Sequence, residues 1–288
     1  MGYKAKGKDN STETSIQYRV SSNQKSASSI QHPASQPEAL NNELSANSHE
    51  LAGDSKPKAT FFVLGWLAER LPHLVREIHA RGHEVASHGY HHILCNQMSS
   101  EKLKNDLIDS KKVLEDIIGS PVYGYRAPSF AINNDILKLI ADTGYLYDSS
   151  YNSFSLHGRY GKLDLSCNGN YDAAIKISDK LYELPISNLK IANQIVPLGG
   201  GGYFRLLPTF LFRKGIKSIL NNANTYLFYL HPWEIDPEQP KVDEVSINYK
   251  LRHYSNLRKT HKKLNKLFKN FRECRFITCR QYLEQINF

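Results

Sequence analysis

"KATFFVLGWLAERLPHLVREIHARGHEVASH", residues 58–88, decides the fold class. It opens, in "KATFFVLG", on a continuous apolar run, Phe61 to Leu64, as a strand buried on both faces does. Leu67, Leu71, Leu74, Val75 and Ile78 then recur at helical spacing, and Gly82 is a helix stop. A second strand follows and ends at His88. Downstream, residues 99–119 carry a helical stripe of Leu103, Leu107, Leu114 and Ile117 closed by Gly119. "VYGYRAPS" (122–129) reads as strand, "NNDILKLIADTG" (133–144) as helix and "YLYDSS" (145–150) as strand. Strict alternation of this kind predicts a parallel sheet with helices outside it.

Beyond residue 150 the pattern loosens. It passes through "YELPIS" (182–187) and the glycine run "LGGGGYFRLLP" (198–208). "TYLFYLHPW" (225–233) then reads as a buried strand, and "RFITCRQYLEQI" (275–286) as a last strand–helix pair. Residues 1–57, rich in Ser, Asn, Gln and Lys, show no strand or long-helix period and are predicted disordered or weakly structured, leaving one domain over 58–288.

Composition narrows the partners. Seventeen Tyr and 12 Phe suit either a large core or a site for flat-faced ligands such as sugars. No run of about 18 apolar residues predicts a transmembrane helix, and "MGYKAKGKDNSTETS" lacks the apolar segment of a secretory signal. Four irregularly spaced cysteines do not make a disulfide framework, so a reducing cytoplasm is the expected location. The net charge is +9, much of it in "KTHKKLNKLFKNFRECRF" (259–276). There Leu257, Leu264, Leu267, Phe268 and Phe271 can share one helical face with Lys and Arg opposite. Such a face is either simply solvated or touches an anionic polymer or lipid surface, peripherally at the inner membrane. No nucleic-acid motif accompanies the charge.

Four predicted strands end in a chemically capable residue: His88, Arg126, Asp148 and His231. In a parallel barrel or sheet those ends share the face where active sites are built. His88 and His92, four apart on a turn or tight loop, can grip one cation, with His91 pointing away. Cys95 is either a thiolate ligand of a structural zinc or, more simply, a buried inert thiol. A two-histidine site with open positions suits a hydrolytic metal, which wants a third ligand, an acid and a base. His231 is the candidate acid, Arg126 the candidate to orient a carboxylate, and Asp148 the candidate to hold an imidazole or line the groove.

"SHGYHH", "YRAPSF", "YLH" and "YDSS" together resemble the motifs of the polysaccharide deacetylases, the NodB-homology hydrolases of carbohydrate esterase family four. The resemblance implies a distorted (β/α) barrel, an α/β fold, and hydrolysis of N-acetyl groups on an amino-sugar polysaccharide. It implies a divalent metal on His88 and His92, zinc first, with cobalt or nickel as alternatives. It further implies Arg126 orienting the base, His231 as general acid, Leu230 lining the acetyl pocket, and Asp148 in a groove motif. Tyr125, Pro128 and Trp233 would be further substrate contacts. Residues 57–288 also look like the subgroup found with exosortase (PEP-CTERM) exopolysaccharide systems.

One family element has no match. The family opens with a strand ending in paired acids, and here the only aspartate from Met1 to Gly53 is Asp9, while Asp54 falls at the amino end of its strand. The expectation is a barrel without its first strand, a start in which the first tens of residues replace that strand, no identifiable third metal ligand and an unpaired apolar edge. A catalytically inactive carbohydrate-binding protein is the competing reading.

Overall fold

The computed structural model describes residues 56–154, 160–164, 170–171, 173–192 and 194–286. The weakly structured segment expected over 1–57 lies, up to residue 55, outside the described residues.

The alternation becomes a chain of parallel pairings. Strand β1 (Thr60–Val63) pairs with β2 (Glu84–Ser87), which pairs with β3 (Gly124–Tyr125) and through it with β4 (Tyr147–Asp148), all parallel. Beyond β4 the sheet changes character. Strand β7 (Leu181–Glu183) is parallel to β4, but β6 (Ala174–Ser178) and β5 (Asn170–Tyr171) follow antiparallel, giving the order β1-β2-β3-β4-β7-β6-β5. This is the α/β class that the alternation predicts.

Connecting helices flank this sheet. The stripe of residues 67–78 is not one helix but two, α1 (Gly65–Arg70) and α2 (Pro72–Ala80). Pro72 has no N–H to donate and its ring displaces the carbonyl four residues back, so it starts a helix and cannot continue one. Helix α3 (Ser100–Ile118) runs as its signals demand. The Ser99 hydroxyl accepts from the Lys102 N–H at its start, and Gly119 closes it with φ +66°. Helix α4 (Asn134–Asp142) is capped by the Asn133 side chain. Their inner faces, with Val85, Leu103, Leu107, Leu114, Ile136 and Ile140, form the first core.

Besides the strand expected at the start of 275–286, which does not form, two strand expectations need correction. Strand β1 was expected to be buried on both faces, yet Phe61 is 38% exposed. It is a terminal strand in the sheet order, and among the described residues no strand lies beyond it. Its amino end is covered instead by the chain's C-terminal segment: the Lys58 N–H donates to the Phe276 carbonyl and the Cys279 N–H to the Thr60 hydroxyl. The expected strand over 225–233 is half-buried, and its ladder reduces to one parallel bridge between Tyr229 and Gly200.

The second half is built differently. A two-stranded sheet, β8 (Leu189–Ile191) with β9 (Gln194–Val196), precedes α5 (Gly201–Leu206) and α6 (Thr209–Ala223). Then come α7 (Ile247–Tyr254), α8 (Leu257–Asn270) and α9 (Cys279–Gln285). Helix α8 buries Leu257 and Leu267, as its stripe predicts, and Leu267 with Phe271 just past its end packs onto Phe204, Phe212 and Ile216. No helix among the described residues is long and apolar enough to cross a membrane.

Candidate active site

The loop after β2 is a tight turn, not a helix. Gly89 takes φ +76° where a Cβ would meet the Asp106 carboxylate, and His92 takes φ +61°. Asp106 on α3 accepts the Tyr90 N–H at 2.9 Å and fixes the turn. The His88 and His92 rings stand 5.1 Å apart, centre to centre.

His88 Nδ1 lies 2.7 Å from the Arg126 carbonyl oxygen. A carbonyl can only accept, so Nδ1 carries the proton and Nε2 keeps its lone pair. Burial, and then the positive charge of His92, Arg126 and His231, pushes His88 down to about 3, so it stays neutral. Burial lowers His92 as well. A neutral imidazole whose other nitrogen is tied to a carbonyl is the form that ligates metals.

Arg126 is itself buried. Its Nε donates to the Ser149 carbonyl at 2.8 Å and its Nη2 to the Ser149 hydroxyl at 2.7 Å. The guanidinium lies 4.1 Å over the Phe62 ring and 5.7 Å from the Tyr229 ring. Burial lowers its pKa, and among the described residues no carboxylate comes within ion-pairing distance of it.

Tyr229 links Arg126 to the fourth member, its ring lying 5.7 Å from that of His231. His231 is 53% exposed in its side chain, and its Nδ1 faces Glu234 Oε2 at 3.2 Å. The same oxygen accepts the His231 backbone N–H at 2.9 Å. Glu234 in turn is ion-paired to Arg205 at 3.0 Å, both side chains almost wholly buried. Burial alone would raise the Glu234 carboxyl, but hydrogen bonds from His231 and Arg205 outweigh it and hold it below the ordinary range. The glycine run has its reason here: a Cβ on Gly201 would collide with Glu234 and Leu230, and one on Gly200 with Tyr229.

The structure thus brings His88, His92, Arg126 and His231 to one region, with Leu230 beside Gly201 and Trp233 stacked near His231 at 5.8 Å. It places others elsewhere. Tyr125 was expected to touch substrate, but it has no exposure and its hydroxyl lies 3.3 Å from Cys95 in the core. Pro128 is buried at the start of a short turn whose next two residues, Ser129 and Phe130, both have positive φ. Asp148 was expected to line the groove or hold an imidazole. It lies beneath the surface, fully buried, accepting from the Ser150 N–H and hydroxyl and pairing across the strands with Glu183. A strand's side chains alternate between faces, and Asp148 is the last strand residue and points to the sealed one. Cys95 is 1% exposed and burial pushes its thiol up to about 12, so it is a neutral core group.

Sequence reasoning missed Glu234, Arg205 and Asp106. Glu234 carried a weak signal, an acid three residues after His231 in the N3 position of a capping box. Arg205 and Asp106 carried none, because their partners are remote in sequence. A cavity of about 260 Å³ lined by Tyr123, Leu146 and Arg280 lies at the amino ends of β3 and β4, away from the histidines. The donor set for a metal is partial. His88 and His92 fit, and no group of three His, Cys, Asp or Glu able to hold a metal occurs among the described residues.

Residues 41–147 match the polysaccharide deacetylase family, and residues 149–284 match a domain of unknown function, DUF3473. A peptidoglycan-N-acetylglucosamine deacetylase of Bacillus cereus is 35% identical over 96 residues, 33% of this chain and 45% of that protein. A peptidoglycan deacetylase of Helicobacter pylori is 31% identical over 99 residues, 34% of each. The chain spans less than half the length of these curated relatives. Among solved structures, a Mycobacterium smegmatis chain assigned to the polysaccharide deacetylases superposes with TM-score 0.57 at 20% identity, covering 85% of this chain and 76% of that one. The allantoinase Puue reaches 0.50 at 12% identity, covering 78% and 66%. At such identities the two structures speak to the fold, which they share. The site residues thus fall in both matched stretches, His88, His92 and Arg126 in the one similar to the polysaccharide deacetylases and His231 in the one similar to DUF3473.

Proposed function

We propose that this protein is a metal-dependent deacetylase that releases acetate from N-acetylated sugars of a polysaccharide, an exopolysaccharide being the substrate that the subgroup resemblance favours. The observation that carries this reading is the pairing of two differently prepared imidazole sites. His88 and His92 present neutral nitrogens, while His231, close enough to act on both electrostatically, rests on a carboxylate backed by a guanidinium. His88 and His92 would hold a divalent cation, which when bound supplies Lewis-acid activation of water and of the amide carbonyl. Arg126, with aromatic rings on its faces and no carboxylate partner, offers a desolvated positive charge to an oxyanion or to a carboxylate base. His231 delivers a proton from Nε2 to the leaving amine, while Glu234 fixes the ring and offsets its charge. Amide and water thus become amine and acetate.

Acetate release from acetylated glucosamine oligomers, with zinc, cobalt or nickel added, tests this. Release that falls by about 100-fold or more in His231→Ala supports it, that being the usual scale for loss of a positioned proton donor. A second reading, a carbohydrate-binding protein without turnover, draws on the missing third metal donor among the described residues. Oligomer binding with no acetate under any of the three metals would establish it instead.

A further inference from the structure

Residues 184–233 and 245–272 together contain fourteen Lys and Arg and not one Asp or Glu, whereas residues 56–183 contain fifteen of each sign. The chain's positive charge is thus gathered into part of its sequence, and the fold gathers it further. Helices α6 and α8 pack against each other through Phe212, Ile216, Leu267 and Phe271. Facing out, α6 exposes Arg213, Lys214 and Lys217, and α8 exposes Lys259, Lys262 and Lys266.

Where α5 turns into α6, three large apolar side chains stand in solvent. Leu206 is 48% exposed, Phe210 65% and Leu211 46%. Phe210, Lys214 and Lys217 follow one another up a single helical face at spacings of four and three. Lys263 ties α8 to the same corner, its Nζ donating to the carbonyls of Phe204, Arg205 and Leu207 at 2.7, 3.1 and 2.6 Å. Lys259, Lys262 and Lys266, within a turn of Lys263, therefore flank the apolar corner. One exposed apolar side chain needs no explanation, but three close together, flanked by cations that form no ion pair among the described residues, do.

We propose that this corner docks on the surface of an anionic phospholipid bilayer, Leu206, Phe210 and Leu211 entering the interfacial layer while the cations of α6 and α8 lie over acidic headgroups. A polyanionic glycan or nucleic acid would satisfy the cations but leave the three side chains in water. A second copy of the chain would bring like charges face to face. Only a partner that is anionic at its surface and hydrocarbon beneath meets both features.

Sedimentation of the full chain with vesicles tests the assignment. The chain should pellet with phosphatidylglycerol–phosphatidylcholine vesicles, bind phosphatidylcholine alone at least about tenfold more weakly, and release as salt rises. The double variant Leu206→Glu, Phe210→Glu should lose about tenfold or more in partition, as should Lys259→Glu, Lys262→Glu, with thermal unfolding unchanged because all four side chains are exposed. Failure of the intact chain to pellet with anionic vesicles overturns the proposal. So does full retention of binding by folded Leu206→Glu, Phe210→Glu, which would reduce the attraction to that of any polyanion.

Discussion

Two arginines are buried in the described structure, one in each half of the chain, and they are treated oppositely. Arg205, in the second half, is satisfied throughout. It pairs with Glu234 and donates to the carbonyls of His253, Ser255 and Arg252. Arg126, in the first half, spends two donors on a single residue, Ser149, and turns its remaining surface to aromatic rings. A buried guanidinium that is fully compensated holds the loop between α7 and α8 onto the site; it is structure. A buried guanidinium with no ion-paired carboxylate among the described residues, beside two neutral imidazoles, keeps donors and charge for an anion.

Replacement by an uncharged residue of similar length separates the two roles. Arg205→Met leaves Glu234 buried without its partner and frees three carbonyls, and should cost about 3–5 kcal/mol, the usual effect of breaking a buried ion pair. Arg126→Met removes an uncompensated charge, and should change stability by only about 1 kcal/mol while lowering acetate release severely. Urea unfolding of both variants, with circular dichroism, reads this directly. Equal destabilisation by the two would break the comparison.

The carboxylates between the halves give the next effect. Asp148 on β4 and Glu183 on β7 are opposite each other in register and fully buried. Glu183 Oε2 is sealed in with nothing to donate to it. A proton on Glu183 directed at Asp148 resolves this, and burial followed by the charge of Asp148 raises Glu183 well above the ordinary carboxyl range. A raised acid favours the fold when protonated. Its contribution is complete below the ordinary Glu value near 4.5 and is lost as pH climbs from there through the raised folded value. Wild-type stability should therefore decline as pH rises above the ordinary Glu value, by up to about 1.4 kcal/mol per pH unit within that window. Glu183→Gln donates permanently and should flatten the profile, being the more stable protein on the alkaline side of that window. A parallel decline in both proteins would show that the pair does not carry a shared proton.

How much of this was legible in the sequence follows the same divide. In the first half, strand ends and helix stops are local signals, so His88, His92 and Arg126 could be placed from residues alone, and Ser99 and Gly119 bounded α3 as read. Asp148 failed because a one-residue change of phase on a strand moves a side chain from groove to interior. In the second half, His231 was legible as the residue that closes an apolar run, but its partners were not. The carboxylate that holds it sits on a short 3₁₀ turn, and the arginine behind that carboxylate lies 29 residues away, so no periodicity connects them. The break at Pro72 was legible by rule, and the long apolar stripe across it hid it.

Two asparagines at helix starts bring the contrast down to single hydrogen bonds. Asn133, before α4, behaves as its propensity says: extended backbone, its Oδ1 accepting the Ile136 N–H at 2.8 Å. Asn256, before α8, has φ +60° and makes no cap; its Nδ2 donates instead to the Arg205 carbonyl at 3.0 Å. The first is a local bond, the second joins α8 to Arg205, which pairs with Glu234. Asn133→Ala should cost about 1 kcal/mol, recovered by Ser or Asp, which cap as well. Asn256→Asp tolerates the left-handed backbone but cannot donate, and should cost about 0.5–1 kcal/mol, with no recovery from Ser, whose shorter side chain does not replace the amide. If Asn256 instead followed the cap ranking, with Asp equal to Asn, its role would be that of an ordinary helix start, and the second half would owe its site to the Arg205–Glu234 pair alone.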